Sequence, residues 1–151
     1  MGNSKENGIL LFFLYELFEY IEKNDLSELS TVSLKSYEYS KNGFKDLLST
    51  SEYILKPNEY FHQEIILGLS SYVVKSTMEA FKIVKIAINN SVGRRFEVDE
   101  EKMIGEKTYL FFEIIINSRK RRKNNKVEEF EARVCFIDFA GIYEGREFKS
   151  E

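Results

Sequence analysis

The sequence is poor in the residue types that carry most thiol, metal and redox chemistry. Its 151 residues include one cysteine, one histidine, one proline and no tryptophan. A single cysteine excludes an internal disulfide, which fits a reducing compartment. A single histidine excludes a histidine-rich metal site and leaves a histidine-based triad without partners. We therefore predict no catalytic residue, no metal and no cofactor, and we expect a protein that is not an enzyme.

Glycine and net charge are also scarce. None of the eight glycines belongs to a loop of the kind that cradles phosphates. A net charge of −3 does not suit a protein that coats nucleic acid or an anionic membrane. The apolar segment 9–21 is interrupted by Glu16 and Glu19, so it fits neither a signal peptide nor a membrane span. These features predict a cytoplasmic protein that does not contact a membrane.

The periodicity of the apolar residues predicts an α+β fold, with N-terminal helices packed on a four-stranded antiparallel sheet. Hydrophobic residues make up 43% and charged residues 31%, which is typical of a globular protein. We expect a single domain over 1–151, with a helical part at 1–76 and the sheet at 80–146. Helical spacing predicts helices at 9–23 and 57–76, a period of two predicts a strand at 81–88, and 31–40 stays ambiguous.

A long β-hairpin is the clearest local prediction. Segments 108–117 and 127–139 are rich in β-branched and aromatic residues and flank a polar loop. Because side chains alternate across a strand, one face of each segment should meet the other in a shared core. That face carries Leu110, Phe112, Ile114, Ile116, Phe130, Ala132, Val134 and Phe136.

The opposite face of the hairpin is also apolar over half its length. A soluble monomer should not leave such a patch open to water. The N-terminal helices, a second copy in a homo-oligomer or a bound polypeptide could each cover this patch. The sequence alone does not distinguish these three alternatives. The predicted polypeptide-binding or interface residues are Tyr109, Phe111, Ile115, Ile137, Phe139 and Tyr143.

A run of basic residues lies in the loop of the predicted hairpin. Such a run contacts an acidic protein or phosphates, or it forms a solvated tip that keeps a sheet soluble. Nucleic acid ranks last among these partners, because no aromatic residue interleaves the charges. The candidates for contact with an anionic partner are Arg119, Lys120, Arg121, Arg122 and Lys123.

The second half of the chain resembles SecB and the SecB-like export chaperones. Ala140-Gly141-Ile142-Tyr143 follows the strand at 130–139, as a Gly-Ile-aromatic step does in that family. Segments 81–86, 95–99 and 108–116 look like the first three strands of its sheet. The family's helices that follow this step have no counterpart before Glu151, and the positions that match its acidic SecA contacts are not acidic.

The resemblance implies a non-enzymatic chaperone that holds non-native polypeptides through apolar contacts and strand addition. The alternative is an interaction protein with one folded partner, such as an antitoxin, an immunity protein or an inhibitor. In either case the expected partner is a polypeptide, with no cofactor. A third possibility, a small nucleic-acid binder, would act through the basic loop.

Overall fold

The computed structural model describes residues 8–26, 29–40, 42–50, 54–55, 66, 68–91, 108–121 and 127–138. These residues form two helices and an antiparallel sheet, so the predicted α+β class is confirmed. The elements in chain order are α1 (Ile9–Lys23), β1 (Ser30–Ser40), β2 (Gly43–Asp46), β3 (Ile54–Leu55), β4 (Tyr72–Val74), α2 (Thr77–Asn90), β5 (Tyr109–Arg121) and β6 (Val127–Asp138). The path of the sheet is β3-β2-β1-β5-β6, and β4 pairs with β1 beside β2, so the prediction of four strands is wrong.

The predicted hairpin is confirmed as β5 and β6. The two strands pair from Leu110 opposite Asp138 to Arg121 opposite Val127. The predicted faces hold as well, because Phe112 lies opposite Phe136 and Ile114 opposite Val134. We name the side of the sheet that carries Phe112 and Ile114 the core face, and the side that carries Tyr109, Phe111, Ile115 and Ile137 the second face.

The ambiguous segment 31–40 is the long strand β1. It pairs along its whole length with β5, while its other edge is shared between β4 and β2. Val32 and Leu34 are buried on the core face, and Lys35 and Tyr37 are buried on the second face. A strand buried on both faces does not show the alternation of a half-exposed strand. For this reason segment 31–40 shows no clear period of apolar residues.

The segment predicted as a strand at 81–88 is helix α2, so that prediction is wrong. Its buried residues Ala80, Val84 and Ala87 recur at intervals of four and three, as one face of a helix requires. Ser76 caps the helix by accepting a hydrogen bond from the backbone N–H of Glu79 at 3.3 Å. The Glu79 carboxylate in turn accepts one from the N–H of Lys75 at 2.8 Å. These two bonds stabilise the start of the helix and outweigh its β-branched composition.

The remaining local predictions have mixed outcomes. The N-terminal helix is confirmed, as α1 ends at Lys23. The segment after β1 forms β2, which begins at Gly43 with φ 112° and pairs back on β1. The helix predicted at 57–76 is wrong at Tyr72–Val74, which forms β4. The strand predicted at 95–99 lies outside the described residues.

Both described helices pack on the core face of the sheet. Leu10, Leu14 and Ile21 of α1 join one buried cluster with Val84 of α2 and Ile114 of β5. Phe13 also contacts Phe136 of β6, with ring centroids 5.4 Å apart. The N-terminal helix therefore does not cover the second face, which was one of the three covers considered from the sequence.

Candidate functional site

One end of the sheet gathers several polar groups. The carboxyl ends of β1 and β6 lie together there, because each strand is antiparallel to β5 between them. Glu38, Leu110 and Asp138 occupy one row across the three strands. We name this region, centred on the last residue of β6, the Asp138 end.

The C-terminal end of α2 is attached to this region through the β1–β2 hairpin. The Ser91 hydroxyl donates a hydrogen bond of 2.8 Å to the Glu38 carboxylate, and both residues are 2% exposed. The Asn90 side chain donates to the carbonyl of Leu47 at 2.9 Å. The Lys45 ammonium lies 3.4 Å from the carbonyl of Asn90. Three separate contacts thus fix the last residues of the helix.

The buried carboxylate of Asp46, the last residue of β2, joins two segments of the chain. Asp46 is 4% exposed and accepts hydrogen bonds from two backbone N–H groups, that of Leu48 at 2.8 Å and that of Ser70 at 2.7 Å. Tyr72 adds a hydrogen bond from its hydroxyl to the carbonyl of Leu48 at 3.3 Å. The carboxylate therefore joins the end of β2 to the segment that leads into β4.

Four of the residues predicted from the apolar hairpin face do lie together on the second face. The Phe111 ring stacks on Tyr37 with centroids 4.7 Å apart, and Tyr109 contacts Tyr39 at 6.2 Å. Ile115 is buried, whereas Ile137 is 43% exposed. Phe139 and Tyr143 lie outside the described residues. The assignment of this group as an interface stays a prediction.

The basic residues are described only in part. Arg119 forms an ion pair with Glu129 at 3.0 Å, and about 70% of each side chain is exposed. Lys120 is exposed and lies opposite Glu128, and Arg121 is the last residue of β5. Arg122 and Lys123 lie outside the described residues. An exposed pair of this kind contributes about 0–1 kcal/mol, and contact with an anionic partner stays a prediction.

The second face contains a small set of interacting titratable groups. Burial raises the pKa of Tyr37 well above its usual range, and the negative charge of Glu113 acts in the same direction. Partial removal from water also raises the pKa of the Cys135 thiol, with a smaller effect from Glu113. Glu113 lies directly opposite Cys135 across β5 and β6. The thiol is therefore held in its neutral, unreactive form.

Cys135 should accordingly react slowly with iodoacetamide. A raised pKa lowers the thiolate fraction at pH 7.5, and the thiolate is the nucleophile. Changing Glu113 to glutamine should speed alkylation about threefold, because it removes one cause of the raised pKa. Glu129→Gln is the control, because Glu129 is an exposed acid on β6, the strand that carries Cys135. This change should leave the rate of alkylation unchanged. Equal rates in the two variants would contradict the proposed influence of Glu113.

The described residues do not by themselves form a metal or nucleotide site. No group of three or more His, Cys, Asp or Glu side chains suited to a metal ion occurs among them. Within the described part of the chain, Asp138 is an acidic residue that ends a strand at this sheet end, after the apolar run Val134-Cys135-Phe136-Ile137. An aspartate so placed holds Mg²⁺ in nucleotide-hydrolysing proteins with a phosphate-binding loop. A complete site would need further groups.

Comparison with known proteins identifies the family. The kinesin motor domain model matches residues 1–150, so the chain belongs to the kinesin motor domain family. The human kinesin-like protein KIF19 is 24% identical over 141 residues, which cover 93% of this chain and 14% of that protein. A solved structure of a KIF14 dimer, in a two-heads-bound state with AMP-PNP and a microtubule, superposes with a TM-score of 0.77 at 20% identity. It covers 93% of this chain and 41% of the solved one.

The family match corrects several predictions from the sequence. The resemblance to SecB is wrong, and with it the functions of chaperone and of antitoxin, immunity protein or inhibitor. The expectation that the protein is not an enzyme is also wrong, because kinesin motor domains are microtubule-associated ATPases. An unfolded polypeptide as partner is wrong for the same reason. None of the described helices is long and apolar enough to cross a membrane.

Sequence reasoning overlooked the residues of the Asp138 end. Asp138 was treated only as part of an apolar strand, although an acid that closes such a run is a known sign of a metal-holding position. Glu38 and Ser91 are 53 residues apart in the chain, and nothing in the sequence links them. Ser76-Thr77-Met78-Glu79 was a capping-box signal for α2 that went unused.

Proposed function

We propose that these residues belong to an ATP-hydrolysing motor domain that binds microtubules. The observation that carries the proposal is the family match over residues 1–150. The chain spans 14% of the length of KIF19 and 41% of the solved KIF14 chain. Its 151 residues contain no G-x-x-x-x-G-K-[ST] loop. The proposal therefore assigns ATP hydrolysis to the motor domain as a whole, with a cytoplasmic location on the cytoskeleton.

The position of Asp138 supports a contribution to the nucleotide site. It ends β6 at the end of the sheet where β1 also ends, in the same row as Glu38. A carboxylate at this place would hold the metal ion that accompanies the nucleotide phosphates. AMP-PNP, an ATP analogue, and a microtubule accompany the KIF14 structure that this chain resembles. The shared fold and the position of Asp138 at the end of β6 support the proposal that this chain also contributes to a nucleotide site.

Microtubule co-sedimentation and phosphate release test this function in the protein that contains these residues. We expect it to pellet with microtubules in the presence of AMP-PNP and to release phosphate from ATP faster when microtubules are added. Asp138→Ala should lower phosphate release tenfold or more, since it removes a metal-binding carboxylate. A protein that stays in the supernatant and releases no phosphate would overturn the proposal.

The matched control for Asp138→Ala is Glu131→Ala. Both residues are acids on β6 and both changes remove one negative charge, but Glu131 lies seven residues before Asp138, in the other half of the strand. Its carboxylate pairs with Arg133 at 2.7 Å on the surface. We expect phosphate release by this variant to stay within twofold of the wild type. If both variants lose phosphate release equally, the loss comes from a general change in β6 and not from the Asp138 carboxylate.

A further inference from the structure

We propose that Glu38 and Ser91 are a positioning pair, which holds the end of α2 against the end of the sheet that carries Asp138. The inference rests on the proposed function, because it concerns the speed of ATP turnover at the Asp138 end. Neither residue is assigned a contact with substrate or metal. The role of the pair is to fix the last residue of α2 relative to the last residue of β6.

The first observation is that α2 ends without the usual signals for stopping a helix. Its C-cap is Ser91 in an extended conformation, and its last turn contains no basic residue. Helices commonly end at a glycine in the left-handed conformation, or with a cation near the last carbonyl groups. Here the cation comes from another element, because the Lys45 ammonium of β2 reaches the carbonyl of Asn90. The sheet therefore supplies the cation that the last turn of α2 lacks.

The second observation is the burial of the bond between the pair. Both residues are 2% exposed, and the hydroxyl donates to the carboxylate at 2.8 Å. A buried carboxylate is costly unless its oxygens accept hydrogen bonds. An apolar residue at position 38 could fill the same space at no such cost. A charged acceptor there gives the end of α2 one defined position, since a charge-assisted hydrogen bond is directional.

The third observation is location. Glu38 lies in the same row of the sheet as Asp138, with Leu110 between them. Both belong to the core face by alternation, and two strand spacings separate them by about 10 Å. Ser91 is hydrogen-bonded to Glu38, so the end of α2 lies at the same end of the sheet as Asp138. A loosened α2 end would change its place beside this row, and small misplacements near a reaction centre cost large factors in rate.

The test compares Ser91→Ala with Ser36→Ala in the protein that contains these residues. Ser36 is the matched control, because it is a buried serine on β1 whose hydroxyl donates to the carbonyl of Phe111 at 2.9 Å. It joins β1 to β5 rather than to α2. Ser91→Ala should lower the kcat of microtubule-stimulated ATP hydrolysis about tenfold. The KM for microtubules should change by less than twofold, and Ser36→Ala should leave kcat within twofold.

Two variants of Glu38 separate positioning from a general loss of stability. Glu38→Gln keeps an oxygen that accepts from Ser91, so kcat should recover to within about threefold of the wild type. Glu38→Ala should lower kcat at least as far as Ser91→Ala, and the double variant should be no slower than Glu38→Ala. If Ser36→Ala lowers kcat as much as Ser91→Ala does, the pair has only a structural role and the inference is wrong.

Hydrogen exchange gives a second readout that does not depend on ATP turnover. Ser91→Ala should speed exchange of the amides of residues 88–91 and also of 136–138, whereas Ser36→Ala should do neither. Unchanged exchange at 136–138 in Ser91→Ala would overturn the inference. A wild-type protein that releases no phosphate would contradict the proposed function instead, and exchange at 136–138 would then decide the inference alone.

Discussion

Replacing Leu14 with alanine is expected to lower the free energy of unfolding by about 2–5 kcal/mol. Leu14 is fully buried in the middle of α1, within the cluster that joins both helices to the sheet. The change removes the burial of three carbon atoms and leaves a cavity that close-packed neighbours cannot fill. Urea unfolding followed by circular dichroism measures the loss as a shift in midpoint at unchanged slope.

Ile9→Ala is the control for this measurement. Ile9 is an aliphatic residue on the same helix, but it is 75% exposed. Its replacement should change the free energy of unfolding by no more than about 0.5 kcal/mol. Similar losses in the two variants would show that α1 does not pack on the sheet as described. The comparison therefore tests the packing of the helix on the core face, apart from any effect of alanine on helix formation.

The hairpin was predictable because its signals are local. Both strands alternate, and a polar loop separates them, so pairing and faces follow from short stretches of sequence. Helix α2 was missed because Ile83, Val84, Ile86 and Ile88 are β-branched and suit a strand on propensity. Its N-terminal cap and its packing against the sheet decide the outcome. Propensity is a weak guide where tertiary contacts are strong.

The candidate site was beyond prediction for a different reason. Its residues come from β1, β6 and the end of α2, and the pairing of β1 with β5 brings the first two into one row. The sequence left the type of β1 open, so the order of strands could not be derived. The SecB resemblance rested on a short Gly-Ile-aromatic step and on strand order, and one of its strands is in fact a helix. Short steps of this kind are compatible with unrelated folds.

Removing the carboxylate of Asp46 should destabilise the fold by about 2–4 kcal/mol, because it leaves two buried backbone N–H groups without an acceptor. The bonds at stake are those to Leu48 at 2.8 Å and to Ser70 at 2.7 Å. Asp46→Asn keeps one acceptor oxygen and places an amide N–H₂ against the other donor, so its loss should be smaller than that of Asp46→Ala. Urea unfolding of Asp46→Asn and Asp46→Ala shows which variant loses more of the free energy of unfolding.

Glu131→Ala is the control with the same change in charge, since its carboxylate is exposed on β6. It should alter the free energy of unfolding by no more than about 0.5 kcal/mol. Hydrogen exchange locates the effect, because Asp46→Ala should speed exchange of the amides of Leu48 and Ser70 before the rest of the sheet. If both alanine variants unfold at the same urea concentration, Asp46 does not hold the segment before β4 to the end of β2. In that case β2 and β4 are held together by their shared pairing with β1 and by the hydrogen bond from the Tyr72 hydroxyl to the carbonyl of Leu48.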